Sequence, residues 1–189
     1  MIRIGILGDI GSGKSYVASK FGYPVFNADY EVSKIYTNNK KIFVKLNKKL
    51  PKYIYKFPIN KNQITKAILS NKTNLKNIIT IVHKEIKKKM KLFLKKNKNK
   101  KIVILDIPLL LENKINNKKD ILIFVESKKK DITKRLKKRK NYNSKLLNKF
   151  KKIQFNNNYK KKKSNFIIKN DFKQKQVGKS IKKILGEIL

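Results

Sequence analysis

Residues 2–17 read IRIGILGDIGSGKSYV. Ile2, Ile4 and Ile6 alternate and Leu7 follows, which is the pattern of a buried strand, while Val17, Ala18 and Phe21 beyond Lys14 keep helical spacing. Between them stands Gly8-x4-Gly13-Lys14-Ser15, a glycine-rich turn joining a strand to a helix N-terminus, the setting in which this spacing denotes a phosphate-binding loop. Gly8, Gly11 and Gly13 let the backbone turn its N–H groups toward one centre, so that a polyphosphate approaches without meeting a Cβ. Lys14 supplies a mobile charge for the β and γ oxygens, and Ser15 a hydroxyl for a magnesium ion. Five of the seven glycines fall within the first 22 residues, so a glycine-poor chain spends them where the backbone demands them.

A length of 189 residues fits one domain with a real core. The longest apolar run, IVILDIPLLL at 102–111, is interrupted by an aspartate and a proline and falls short of a membrane span of ~20 residues. Met1 leads straight into the first strand, so no cleaved leader is expected. There is no cysteine, which excludes disulfides and cysteine zinc sites and makes a cytoplasmic location the default.

The net charge is +40, yet only Arg3, Arg135 and Arg139 among 51 basic residues are arginine. The lysines are spread along the whole chain among asparagines and isoleucines, which reads as a lysine-loaded solvated surface rather than a basic arm. Salt-sensitive, non-specific binding to nucleic acid follows from the charge alone; a specific nucleic-acid partner is not expected, and an acidic small-molecule substrate suits the field.

Downstream, Pro24-Val25-Phe26 reads as a second strand ending in Asn27-Ala28-Asp29 before a helix from Tyr30 to about Tyr36. Asp29 thus stands at a strand's carboxyl end, where open α/β sheets place ligands, and is equally suited to cap the helix. Helical spacing runs from Ile64 to Leu94, with Leu75, Ile78, Ile79, Val82 and Ile86 in one stripe and His83, the only histidine, at its edge. Ile102 to Leu105 is a continuous apolar run, the mark of a central parallel strand covered on both faces, and it ends in Asp106. A carboxylate there is placed to hold magnesium directly or through a water. Asp120 to Val125 reads as a fourth strand, followed by a basic helix with Arg135 and Arg139 four apart on one face. Phe166 to Ile168 is a fifth strand, and Val177, Ile181, Ile184 and Leu185 mark a closing helix.

Strands alternating with helices predict an α/β fold with a five-stranded parallel sheet and a phosphate loop on the first strand. Within a single domain, the expected core comprises 1–30, 101–127 and 164–189, with a helical acceptor-binding insert over 31–100 and a lid over 131–163.

Taken together, these segments resemble the dephospho-CoA kinase family nearly end to end. GDIGSGKS at 8–15 is similar to that family's GGIGSGKS, NAD at 27–29 to its DAD, IVH at 81–83 to its IVHP, and DIPLLLE at 106–112 to its D-x-PLL-x-E. Asp120, Arg135, Arg139, Gln154, Lys160 and Asn170 fall in the family's order and spacing. The resemblance implies a P-loop, nucleotide-kinase-like fold and transfer of the γ-phosphoryl of ATP to the ribose 3′-hydroxyl of dephospho-CoA, with magnesium.

By position, the resemblance implies that Gly8, Gly11, Ser12, Gly13, Lys14, Ser15 and Tyr16 hold the ATP phosphates. Arg135 and Arg139 would close from the lid, with Asn170 near the adenine. Asp29 would orient the hydroxyl and accept its proton, with Lys14 and Arg139 stabilising transferred charge. His83, Pro108, Leu109, Leu110 and Glu112 would line the acceptor side. The chain departs from the family at Asp9, Tyr16, Asn27, Lys61, Lys84 and Ser164-Asn165. Asp9 brings a negative charge to the loop that weakens ATP binding unless it points outward. The alternatives left open are another P-loop small-molecule or nucleotide kinase, and a nucleotide-dependent RNA-binding protein that has lost transfer.

Overall fold

The computed structural model describes residues 1–139 and 142–189; positions 140 and 141, in the expected lid, lie outside them. The chain falls into two compact units: one of residues Met1–Asn27, Asn97–Asn143 and Lys151–Leu189, the other of Ala28–Lys96 and Ser144–Phe150.

The first unit is built on the expected sheet. Its strands are β1 (Ile2–Gly8), β2 (Val25–Asn27), β3 (Ile102–Asp106), β4 (Ile121–Glu126) and β5 (Phe166–Lys169), ordered β2-β3-β1-β4-β5 and parallel throughout. Strand registers pair Ile4 with Ile104 and Ile6 with Ile123, and since side chains alternate with period two, one face becomes almost wholly isoleucine. That face packs against Val17, Ala18 and Phe21 from helix α1 (Lys14–Lys20) and its C-cap, and against Val177, Ile181 and Ile184 from the closing helix. On the other face Gly5 makes room: a Cβ there would stand 2.6 Å from Leu110 and 2.9 Å from Leu122. The absent side chain lets the segment after β3 lie directly on β1.

An ion pair ties the start of β1 to the residue before β4: Arg3 Nη2 donates to Asp120 Oδ2 at 2.9 Å, and Nε lies 2.9 Å from Oδ1 as a charge contact without hydrogen-bond geometry. Asn117 N–H adds a second hydrogen bond at 2.8 Å. Arg3, without a role in the sequence reading, is thus a structural staple.

The second unit is helical. It comprises α2 (Ala28–Asn38), α3 (Lys40–Lys49), α4 (Lys61–Ser70), α5 (Lys72–Lys96) and residues 144–150 of α7 (Ser144–Ile153). The expected stripe on α5 buries Leu75, Ile78, Val82 and Ile86 and extends to Met90. The helical spacing over 64–94 is divided between α4 and α5, which are separated by an extended Asn71 (φ −151°, ψ 146°). Its side chain accepts the N–H of Thr73 at 2.8 Å, and Asn74 Nδ2 donates to the carbonyl of Ala67 at 3.1 Å, so polar side chains take over where the helix ladder stops. Asn60 and Gln63 form a reciprocal capping box at the start of α4. Lys149 Nζ closes its other end, donating to the carbonyls of Ile68 and Leu69 at 2.6 and 2.9 Å, where a cation also meets the negative end of the helix dipole.

The one-face argument for the two lid arginines does not hold. Helix α6 (Lys129–Lys137) ends before Arg139, whose N–H closes a turn onto the Leu136 carbonyl at 3.1 Å, so Arg139 stands beyond the helix on which Arg135 lies. Asp29 sits inside the first turn of α2 rather than before it, where a carboxylate is still favoured by the helix dipole.

Candidate active site

In the sheet unit, residues 8–15 leave β1 and enter α1 as a tight loop. Gly13 is its hinge: φ is 90°, and a Cβ would overlap the Asn170 side-chain nitrogen. The close approach is used, for Asn170 Nδ2 donates to the carbonyl of Ser12 at 2.8 Å while Asn170 Oδ1 accepts the N–H of Phe172 at 3.0 Å. Ser127 Oγ donates to the same Ser12 carbonyl at 2.9 Å. With that carbonyl turned outward into two donors, the glycine-rich backbone around Gly11 and Gly13 has the build of an anion-holding nest. Asn170, expected beside adenine, is buried and works first as the brace of the loop. Ser12 is buried too, so its hydroxyl is not a phosphate contact.

Lys14 Nζ donates to the carbonyls of Asp9 and Gly8 at 2.8 and 3.2 Å, which holds the ammonium over the loop. Asp9, the residue that departs from the glycine of the motif, folds its carboxylate onto its neighbour, accepting the Ile10 N–H at 2.7 Å. Tyr16 turns inward: its ring packs on the isoleucine face and its hydroxyl is buried without a hydrogen-bond partner among the described residues. Phosphate contact through that hydroxyl is therefore excluded, and only its backbone N–H remains for the role.

Asp106 closes β3 at the carboxyl edge of the sheet, in register with Asn27 on β2. Asn27 Nδ2 donates to Asp106 Oδ2 at 2.8 Å. Burial pushes the Asp106 carboxyl above its ordinary value of 3.8, opposed by the Ser15 hydrogen bond and the Lys14 charge. A buried carboxylate already bonded to a serine hydroxyl is a hard oxygen donor pair, which fits a magnesium ion. Among the described residues no group of three or more His, Asp or Glu side chains offers a metal site by itself, so other ligands would have to come from substrate or water.

Two further features flank the loop. Helix α6 lies against it, since a Cβ on Gly11 would come 3.0 Å from Leu136 and 3.1 Å from Ile132. The Arg135 guanidinium stacks 4.1 Å from the ring centroid of Phe172, which itself borders Gly13. Phe172 has no signal in the sequence, because an isolated aromatic in a polar loop reads as incidental.

The segment after Asp106 was expected to line the acceptor. Pro108 and Leu109 are partly exposed, but Leu110 is fully buried against β1. Glu112 is also committed elsewhere: one oxygen accepts the Phe155 N–H at 2.8 Å and lies 3.2 Å from Lys160 Nζ. Leu110 and Glu112 are thus support rather than lining. In the helical unit, Asp29 opens α2, and His83 is half-buried midway along α5 with its pKa lowered by burial and by the charge of Lys87. An imidazole so placed is neutral at pH 7 and exchanges hydrogen bonds without adding charge.

The family model described as Dephospho-CoA kinase matches residues 2–176. A Wolbachia pipientis wMel protein named dephospho-CoA kinase is 31% identical over 190 residues, covering 98% of this chain and 97% of its own length. Among solved structures, a Thermus thermophilus protein superposes with a TM-score of 0.77 at 24% identity, covering 100% of this chain and 98% of its own. The Campylobacter jejuni dephospho-CoA kinase does so at 0.62 and 22%, covering 98% and 96%. The two structures establish the P-loop kinase fold, and the family model and the Wolbachia relative establish descent: the chain belongs to the dephospho-CoA kinase family.

Proposed function

We propose that this chain transfers the γ-phosphoryl of ATP to the ribose 3′-hydroxyl of dephospho-CoA, giving coenzyme A and ADP, in the cytoplasm. The observation that carries the reading is the braced loop at 8–15 with the Asp106 carboxylate and the Ser15 hydroxyl hydrogen-bonded beside it, in a chain of this family.

In this reading the amides of residues 11–16 and the Lys14 ammonium grip the β and γ phosphates. Asp106 and Ser15 would hold magnesium, which when bound would neutralise charge on the phosphate oxygens. Asp29 orients the 3′-hydroxyl and takes its proton. The 3′-oxygen bonds to the γ-phosphorus as the bond from phosphorus to the bridging oxygen breaks, and ADP leaves with that electron pair. The transition state of phosphoryl transfer is loose, so positioning and charge neutralisation outweigh deprotonation. Lys14 and the lid arginines, Arg135 and Arg139, therefore carry more of the rate than the base does. For the acceptor, the sheet unit offers the partly exposed Pro108 and Leu109, and the helical unit offers neutral His83.

The test offers the purified protein Mg-ATP with dephospho-CoA, nucleoside monophosphates or RNA, and follows ADP release together with the mass of each acceptor. Dephospho-CoA alone should gain a phosphoryl group. Phosphorylation of a nucleotide instead, or RNA-stimulated hydrolysis with no phosphorylated acceptor, would replace this function with one of the two alternatives.

A further inference from the structure

The turn that follows β3 is held in a conformation that its sequence does not favour. Leu109 has φ 58° and Lys114 φ 50°, left-handed values that side chains with a Cβ adopt only at an energetic cost. Neither is glycine or asparagine, so surrounding contacts must impose the shape. Some are local: the Leu109 carbonyl accepts both the N–H and the side-chain Nδ2 of Asn113 at 3.0 Å, and Ile115 N–H returns to the Leu110 carbonyl at 3.0 Å. Leu110 and Ile115 anchor the turn from below, both buried.

The remaining restraint comes from far along the chain. Glu112 Oε1 receives the Phe155 N–H at 2.8 Å and faces Lys160 Nζ at 3.2 Å, with the two side chains only 8% and 3% exposed. Lys160 lies on helix α8 (Asn157–Lys162), which is capped by Asn156 and carries Lys161, Lys162 and Lys163 at its end. In a run of four lysines, this one is buried. Taking both charges out of water carries a desolvation penalty that their attraction has to repay, and apolar residues of equal volume would stabilise the fold at least as well. What an ion pair adds over apolar packing is a fixed direction, here applied to a turn that strain would otherwise relax.

The place of that turn gives the direction a use. In the strand order β2-β3-β1, β1 ends in the phosphate loop and β2 ends two residues before Asp29. The turn after β3 therefore stands at the carboxyl edge of the sheet, beside the phosphate loop that follows β1. We propose that the buried Glu112–Lys160 pair is a positioning device for the acceptor, holding Pro108 and Leu109 in the shape that receives it; this rests on the function proposed above. Neither residue touches substrate. Lys160 acts through Glu112, and Glu112 through the backbone of the turn.

Four variants test it: Lys160→Met, Lys160→Arg, Glu112→Gln and the double Glu112→Leu/Lys160→Met. Each is assayed for the KM of dephospho-CoA, the KM of ATP, the urea midpoint and amide exchange over residues 109–115. The single Lys160→Met variant should raise the dephospho-CoA KM about tenfold or more and leave the ATP KM within about twofold, with Lys160→Arg restoring most of the loss. Glu112→Gln, which keeps an acceptor for the Phe155 N–H and Lys160, should fall between wild type and Lys160→Met. The double variant should recover the wild-type urea midpoint, since no charge is left buried alone, yet keep the acceptor defect and exchange the amides of Asn113 and Ile115 at least about tenfold faster. Should Lys160→Met not fold, the double variant carries the test. Recovery of the acceptor KM together with the urea midpoint in the double variant would overturn the proposal, as would an equal rise in both KM values or unchanged exchange. If the wild-type protein does not phosphorylate dephospho-CoA at all, the acceptor role falls with the proposed function, and the exchange measurement alone then decides whether the pair sets the turn.

Discussion

Asn27 and Asp106 face each other in register at the carboxyl ends of adjacent parallel strands, with Asn27 Nδ2 donating to Asp106 Oδ2 at 2.8 Å. An aspartate at position 27, as in the motif that this chain otherwise resembles, would set two carboxylates at that distance. They could not both ionise without a cation or a shared proton. Asn27→Asp should therefore raise the apparent pKa of the site and move the acid limb of kcat/KM for ATP up by about one pH unit or more. A pH profile of the variant beside the wild type reads this directly, and an unmoved limb would show that Asp106 does not need to be ionised. In the native protein the Asp106 pKa is already raised above 3.8 by burial. The stability linked to this group is accordingly full below 3.8 and is lost as pH rises through the raised value.

Lys14 and Asp29 rank in a definite order. Lys14→Ala removes an oriented charge from a loose, charge-rich transition state and should lower kcat by roughly 10²- to 10³-fold. Asp29→Asn should cost no more than that, because deprotonation contributes less than positioning. Steady-state kinetics at saturating substrates test the order; a larger loss for Asp29→Asn would mean that proton removal limits the reaction.

Tyr16→Phe should leave the KM of ATP within about twofold and raise stability by about 1 kcal/mol, since the phenol is buried without a partner. Urea unfolding and ATP titration read the two effects separately. A several-fold rise in the ATP KM would return the hydroxyl to the phosphate site.

Arg3→Ala should destabilise the fold by about 3 kcal/mol through the uncompensated Asp120 carboxylate, whose side chain is 1% exposed. Arg3 is five residues before Gly8 on β1, roughly 17 Å from the loop at strand rise, so kcat should not change in folded protein. A lower urea midpoint with native kcat is the expected pair of results.

The sheet and the loop were legible because each rests on a residue type that the backbone cannot exchange. Alternating isoleucines make a face only if they form a strand, and Gly13 is demanded by a positive φ and a neighbouring amide nitrogen. The break between α4 and α5 was hidden, since apolar spacing continues from Ile68 to Leu75 in step with a helix while the stop is made by hydrogen bonds of Asn71 and Asn74. Spacing also placed Arg139 on the helix of Arg135, because nothing in a lysine-rich run marks where its helix ends. Lys160 lay in the expected order, yet only burial separates it from the three lysines that follow. Glu112 was read as a ligand contact by position; its partners, Phe155 and Lys160, are more than forty residues away and carry no local signal. The side chains of Ser12 and Leu110 belong to motifs that suggest contact with ligand, and their burial assigns those side chains to the scaffold.

The most direct measurement incubates the protein with Mg-ATP and dephospho-CoA and locates the transferred group in the product by phosphorus NMR and mass spectrometry. The account predicts one phosphoryl group on the ribose 3′-oxygen and one ADP formed per product. ADP without a phosphorylated acceptor, or a phosphoryl group on any other oxygen, would contradict it.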